Sequence, residues 1–332
     1  MQARQMRRTS PWMARWIGLV LAGGLVPAPV LAQTYPDHAV RVIVPSPPGG
    51  GYDLIGRLLA EKLLPELGQP FVVENRSGAG TLVGTQAAAG AMPDGYTLLV
   101  GGLANMAFNG GLYKDPRYDA VKDFTAIGLV GSFSYALVGR KDLAQNSLKE
   151  IVAYARANPG RLSIASAGTG TGQQVAGLML RQLARLDITE VPYKGAQPAY
   201  TDLLGGRVDL FFDNTTTAQP LVESGRVRVY ATSGSKRDSL MPNVPTGPEA
   251  GVDGLVLDGW IGLFAPAKTP APVVEKLRAA LAKVMQMPEL RKRLETNGWR
   301  LISMTPAQTE VFVKAEAVKW PQFLRQAGIK PE

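Results

Sequence analysis

The sequence predicts an α/β protein of two lobes joined by crossing strands. Three observations carry that expectation. Strand-like apolar runs alternate with helical patterns along most of the chain, the order that gives parallel sheets covered on both faces. About 300 of the 332 residues lie beyond an N-terminal leader, enough for two lobes of moderate size. No Pro/Gly/Ser-rich tether separates the halves, so the chain passes between lobes within its elements and not through a linker.

Taken in order, residues 40–44 read as a strand and 54–67 as a helix, with apolar residues at 54, 55, 58, 59, 63 and 64. Residues 71–73 are the next strand, 82–90 a short alanine-rich helix and 96–100 a third strand. After Pro116 and Asp123, residues 127–130 and 135–138 read as two further strands. A helix over 148–157 ends at Asn158-Pro159-Gly160. The unit then repeats, with strands at 162–165, 189–191, 208–212 and 227–231 and helices at 173–186 and 198–204. The tail is helical over 272–285, 288–297 and 305–324.

The first 32 residues read as a leader outside the fold. Arg4, Arg7, Arg8 and Arg15 form a basic stretch, residues 16–26 an apolar one, and the segment closes on the small residue Ala32. That is a secretory signal peptide cut after Ala32. The alternative is a membrane anchor, against which Pro27 and Pro29 break a run that falls short of ~20 apolar residues. The pair Arg7-Arg8 leaves twin-arginine export open beside ordinary secretion. No later segment is apolar enough to span a bilayer, so a soluble periplasmic protein is expected.

Composition then excludes several chemistries. The chain has no cysteine, which removes disulfides, a thiol nucleophile, a lipid-modified cysteine and a thiolate zinc site. His38 is the only histidine and lies near the start of the exported chain. A Ser-His-Asp triad or a metal site of several histidines is therefore ruled out, and neither an enzyme, a metal nor a cofactor is expected. There are 36 basic and 27 acidic residues, and the leader holds four of the arginines and no acid, so the rest carries an excess of five. The basic residues are scattered and form no stripe of the kind that binds nucleic acid. So mild a field could steer anions, and ordinary solubility charge explains it equally well.

In such sheets ligands bind beyond the carboxyl ends of the strands, where helix N-termini leave backbone N–H groups unpaired and favour an anion. Two segments fit. One is Pro45-Ser46-Pro47-Pro48-Gly49-Gly50-Gly51-Tyr52-Asp53, whose glycines admit close approach and whose Asp53 reads as the N-cap of the next helix. The other is Ser166-Ala167-Gly168-Thr169-Gly170-Thr171-Gly172, followed by Gln173 and Gln174. The bland alternative is an ordinary glycine-rich turn in each case, with Asp53 serving only as a cap. Neither is a nucleotide signature: no lysine follows either glycine cluster as a P-loop needs, and residues 78–84 hold one residue too many for a dinucleotide fingerprint. Asp202, Asp209 and Asp213 are acids at a spacing worth noting. Asp202 reads as an exposed helix face, whereas Asp213-Asn214 falls at a strand end on the same cleft edge. Lys194 is a candidate cation for a carboxylate, with a solvated turn lysine as its alternative.

Several stretches carry a family resemblance: YPDHAVRVIVPSPPGGGYDLIGRLLAEKL, LGQPFVVENRSGAG, PDGYTLLVGG, YDAVKDFTAIGLV, PGRLSIASAGTGTG, VPYKGAQPAYTDLLGGRVDLFFDN, PNVPTGPEAG and W-x-G-L-F-A-P-A-K-T-P. Over residues 35–329 the chain resembles the extracytoplasmic substrate-binding receptors of tripartite tricarboxylate transporters, the Bug family. The resemblance implies a type II-like, two-lobed periplasmic binding protein fold with crossing hinge strands and a ligand cleft between the lobes. Residues 33–133 and 256–332 would form one lobe and 134–255 the other. It implies a monomer that closes on a small carboxylate: a di- or tricarboxylate, an acidic amino acid or an aromatic acid. Delivery would be to large and small permease subunits, or, in the alternative, occupancy would be signalled to a membrane sensor kinase. The ligand contacts carried over are Ser46 to Asp53 and Ser166 to Gln174, with Gly101, Gly102 and Ala104 after the third strand, and Asp213 and Asn214. Two departures stand out. Ser46 replaces an aromatic residue, and Gln174 replaces a histidine, so the site loses a ring and an imidazole that could become cationic. Tyr52 is the candidate replacement for the ring.

Overall fold

β-Branched residues begin the first unit. Val40–Val44 (β1) is buried on both faces except at Arg41, as a strand inside a covered parallel sheet must be. It pairs in parallel with Phe71–Asn75 (β2) on one side and Thr97–Gly102 (β3) on the other. Gly51–Leu67 (α1) returns between β1 and β2 and lays Ile55, Leu58, Leu59 and Leu63 against the sheet, an apolar stripe at helical spacing. It stops at Gly68, whose left-handed φ of 76° lets its N–H reach the Leu64 carbonyl. Leu82–Ala89 (α2) precedes β3, and a short turn of helix at Asn109–Leu112 (α3) follows it. The computed structural model describes residues 35–331, so the signal-peptide expectation lies outside the described residues.

Phe124–Arg140 (β4) is a single strand of 17 residues. The sequence reading split it at Gly131-Ser132-Phe133-Ser134, where a glycine followed by serines resembles a turn. The glycine has another purpose: a Cβ at Gly131 would sit 3.1 Å from the Trp299 ring, so its absence lets the indole pack on the strand. Next come Leu148–Ala157 (α4), Ser163–Ser166 (β5), Gly172–Leu183 (α5), Thr189–Pro192 (β6), Ala196–Leu204 (α6), Leu210–Asn214 (β7), Thr215–Glu223 (α7) and Val227–Thr232 (β8). The remainder is Asp258–Pro266 (β9), Ala271–Met285 (α8), Pro288–Thr296 (α9), Arg300–Leu301 (β10) and Pro306–Gln326 (α10).

The strand order is β2-β1-β3-β9-β4-β7-β5-β6, with β8 and β10 also paired to β4. β4 changes partners part-way. Through Ser134 it runs antiparallel to β9; from Tyr135 it runs antiparallel to β7 and β8. Register shifts between Ala126 and Gly128, and again between Leu129 and Gly131, curl the sheet there. The expected parallel pairing therefore holds for β1–β3 and β5–β7, while β4 and β9 insert antiparallel strands between them. Residues 215–223, given no element from the sequence, are helical, with Asn214 as the N-cap; the threonine-rich start, of weak helix preference, and Pro220 six residues in hide the pattern. At the end of the chain α10 caps the molecule, with a Thr305–Gln308 capping box at its start and Trp320 packed edge-on to Phe108 at 5.3 Å between centroids.

Candidate functional site

The loops that follow β1, β2 and β5 converge on one cavity of about 800 Å³. Two of them deliver a helix N-terminus to it. In the first, Gly49 adopts a φ of 88°, Gly50 is the N-cap and Gly51 opens α1. This corrects the expectation for Asp53, which is not the cap but the third helical residue, 4% exposed behind the loop. Its Oδ2 accepts the Gly49 N–H at 2.9 Å and the Arg57 Nε at 2.9 Å, and its Oδ1 accepts Asn75 Nδ2 at 2.9 Å. Burial works against ionisation, but these hydrogen bonds from Arg57, Gly49 and Asn75 outweigh it and hold the carboxyl below its ordinary range.

In the loop after β5, Thr171 is the N-cap of α5, its Oγ1 accepting the Gln174 N–H at 3.3 Å and donating to the Gly168 carbonyl at 2.8 Å. Gly172 opens the helix directly beneath Tyr135, since a Cβ there would lie 1.9 Å from the phenol oxygen. The first-turn N–H groups of both helices lack intrahelical acceptors, so two partly positive helix ends share one space. Aromatic rings close the rest. Tyr135, Phe133 and Trp299 pack edge-to-face in series, 5.3 Å from Tyr135 to Phe133 and 4.7 Å from Phe133 to Trp299, with Trp260 and Tyr52 on the same cavity. Tyr52 is fixed by donating to Asn105 Oδ1 at 3.3 Å, and burial raises the phenols of both Tyr52 and Tyr135, so each keeps its proton.

The description "tripartite tricarboxylate transporter family receptor" matches residues 55–329. The chain belongs to that family. Among solved structures, the periplasmic binding protein BugD is 35% identical with a TM-score of 0.77, over 90% of this chain and 100% of its own. MatC from Rhodopseudomonas palustris, with bound malate, is 34% identical with a TM-score of 0.76, over 87% of this chain and 99% of its own. An R. palustris protein with adipate is 31% identical with a TM-score of 0.80, over 90% and 100%. The fold is thus the two-lobed periplasmic binding protein fold, with β4 and β9 as crossing strands. Its family and structural neighbours are solute-binding receptors and not enzymes. Among the described residues no helix is long and apolar enough to cross a membrane.

On this receptor the cavity wall includes Ser46, Pro47, Gly49, Gly50, Gly51 and Tyr52 from the first loop. From the loop after β5 it includes Thr169, Gly170, Thr171, Gly172 and Gln173, and from elsewhere Ala104 and Asn214. Pro48, Asp53, Ser166, Ala167, Gly168, Gln174 and Asp213 stand off that wall. Gly101 and Gly102 were expected after the third strand but belong to it, because β9 extends the pairing to Gly102. Gln174, expected to contact the ligand, spends its amide elsewhere: Oε1 accepts the Gly170 N–H at 2.9 Å and Nε2 donates to Glu190 at 2.9 Å. Gln173 is the glutamine on the cavity, and it donates to Asp213 Oδ1 at 3.1 Å. Lys194 is exposed and off the wall, and His38 stacks on Tyr96 at 3.7 Å, before β1 begins.

Sequence reasoning missed a third loop, Ser77 to Thr81, which also lines the cavity. Its signal was present: glycines between a strand and a helix, the same pattern that flagged the other two. Testing it only as a dinucleotide fingerprint hid it. Gly78, Ala79, Gly80 and Thr81 all have positive φ, at 144°, 43°, 56° and 87°. The aromatic wall was missed because Phe133 and Trp299 meet only once β4 and β10 are paired.

Proposed function

We propose that this receptor captures a small carboxylate in the periplasm by closing its lobes, and presents it to the large and small permease subunits of a tripartite tricarboxylate-type transporter. The observation that carries the reading is the convergence of the α1 and α5 N-termini on one cavity. Each terminus comes from a different half of the sheet, so an anion held by both ties the halves together. Charge-assisted hydrogen bonds of ~1.5–3 kcal/mol each suffice, after the cost of ordering, for a net of about −8 kcal/mol and micromolar affinity. Malate and adipate, in the relatives that carry them, are carboxylates of the size the cavity admits. The lobes would be residues 33–133 with 256–332, and residues 134–255. The exchange of β4's partners between Ser134 and Tyr135 supports that division. The exported form would begin near Gln33.

The test is a thermal-shift screen of ligand-stripped protein against dicarboxylates, citrate, acidic amino acids and aromatic acids, with neutral sugars as controls. Binding to the native state alone raises the melting temperature by mass action. A rise with one class of acid is expected. A rise with sugars and none with any acid would overturn the carboxylate reading.

A further inference from the structure

The two cavity loops share a local design. In each, a glycine of positive φ (Gly49 at 88°, Gly170 at 77°) precedes the helix cap. In each, the third residue of the helix reaches back four positions and accepts that glycine's N–H at 2.9 Å. The acceptor is Asp53 Oδ2 in one loop and Gln174 Oε1 in the other. The orientation of the Gln174 amide is fixed by its surroundings, because turning it over would set an NH₂ against the Gly170 N–H and an oxygen against Glu190.

We infer that Asp53 and Gln174 are matched positioning residues, each pinning its loop so that the cap and first-turn amides face the ligand, and that the difference in charge between them directs the ligand's ionised carboxylate to the α5 end. The inference deepens the carboxylate reading and rests on it.

Pinning removes one freedom from each loop. Gly49 lies between Pro48 and Gly50, and Gly170 between Thr169 and Thr171; such a glycine has several conformations of similar energy, and the N3 side chain selects one of them. Each pin is itself held. Asn75 Nδ2 bridges Asp53 to the Ser46 carbonyl at 3.1 Å, while Glu190 grips Gln174 and lies 3.7 Å from Arg181. The loop that approaches the ligand is therefore set by side chains that stay off the cavity wall.

The charges differ where it matters. Asp53 puts a carboxylate inside the first turn of α1, cancelling part of that helix's positive end, and its partner Arg57 points outward with 57% of its side chain exposed. Gln174 is neutral, its amide held by Glu190 one side chain further back, and Asp213, which accepts from Gln173 at 3.1 Å, is pushed by burial towards its neutral form. The α5 end thus attracts an anion more strongly, and the α1 end offers its N–H groups to a less charged oxygen: a hydroxyl, a shared carboxyl oxygen or a bridging water.

Two measurements test this. Amide hydrogen exchange followed by NMR in ligand-free protein reads the pins directly. Gln174→Leu should speed exchange at Gly170 at least tenfold and leave Gly49 unchanged; Asp53→Asn, which keeps an acceptor, should leave Gly49 protected. Unchanged exchange at Gly170 in Gln174→Leu overturns the pinning. Calorimetric titration with malate and adipate at two salt concentrations reads the ranking. Gln174→Glu should weaken binding about tenfold, the loss shrinking as salt is raised, while Asp53→Asn changes it less than threefold or tightens it. Equal losses in both variants, or the larger loss in Asp53→Asn, overturn the ranking. If no acid binds the wild-type protein, the carboxylate reading fails and the ranking with it, and the exchange data still decide the pinning.

Discussion

At Gly172 a single hydrogen atom decides whether the cavity exists in its present shape. Gly172→Ala would place a methyl 1.9 Å from the Tyr135 phenol oxygen, so the ring has to leave its position beside Phe133. Overpacking of this kind costs ~1–3 kcal/mol. The variant should fold with a lowered melting temperature and bind its acid at least tenfold more weakly by calorimetry; unaltered affinity would mean that Tyr135 does not shape the site. Asp213 sets a second residue-scale expectation. It is 1% exposed, and its Oδ2 lies near the Tyr200 hydroxyl without a well-formed hydrogen bond. Burial pushes its pKa up to about 6, against the opposing pull of the Gln173 amide. A carboxyl raised in the folded state binds its proton more tightly there than in the unfolded chain. Its contribution to stability therefore falls as pH rises from about 4 to about 6, by up to ~3 kcal/mol. Asp213→Asn can still accept from Gln173 and carries no charge to desolvate. Denaturant melts should show it gaining on the wild type at pH 7.5 relative to pH 4.5, and a gain that is the same at both pH values would remove the burial argument.

Among the elements, the third loop stores backbone strain. Ala79 at φ 43° and Thr81 at φ 87° occupy conformations that L-residues adopt at a cost of order 1 kcal/mol or more. Ala79→Gly should relieve part of it and stabilise the fold by ~0.5–1 kcal/mol in chemical denaturation, net of the added freedom of the unfolded chain. A destabilised variant would show that the conformation is not strained. This loop also marks how far elements could be read from residues. α1, α4 and the tail helices were legible because one face of each is apolar at a fixed period, and β1 because it is a short run of β-branched residues stopped by prolines. β9 was not, because all but its first residue are buried and two glycines interrupt the run, leaving no alternation to detect. The split of β4 has the same origin: Gly131 is read as a breaker when its tertiary partner Trp299, far along the chain, is unknown. In the site, the two helix-opening loops were found from glycine and cap chemistry alone. The exchange of roles between Gln173 and Gln174 was not, since adjacent residues on a helix point about 100° apart and only the start of α5 tells which one faces the cavity.

For the whole molecule, the lobe closure proposed above would depend on how freely the halves turn about the crossing strands, and the structure places one ion pair at that point. Asp258, the first residue of β9, accepts from the Arg300 Nη2 on β10 and, through its other oxygen, from the Ser235 N–H at 3.1 Å. Arg300 also reaches Ser134 Oγ at 3.5 Å, at the residue after which β4 exchanges partners. One carboxylate thus ties the strand carrying Trp299's neighbour to the segment that leaves the second half of the sheet. Both side chains are a quarter exposed, so the pair is partly screened and holds the crossing with modest strength. Asp258→Ala removes both bonds and leaves Arg300 to find water, which frees the crossing without touching the cavity wall. Small-angle X-ray scattering should then give the ligand-free variant a larger radius of gyration than the wild type. Saturating ligand should return both to the same value, because closure is set by the ligand's contacts with the two loops. Affinity falls in step, since the population already near the closed form is smaller and the ligand must supply the difference. Identical scattering from the two ligand-free proteins, with unchanged affinity, would show that the Asp258–Arg300 pair does not restrain the hinge.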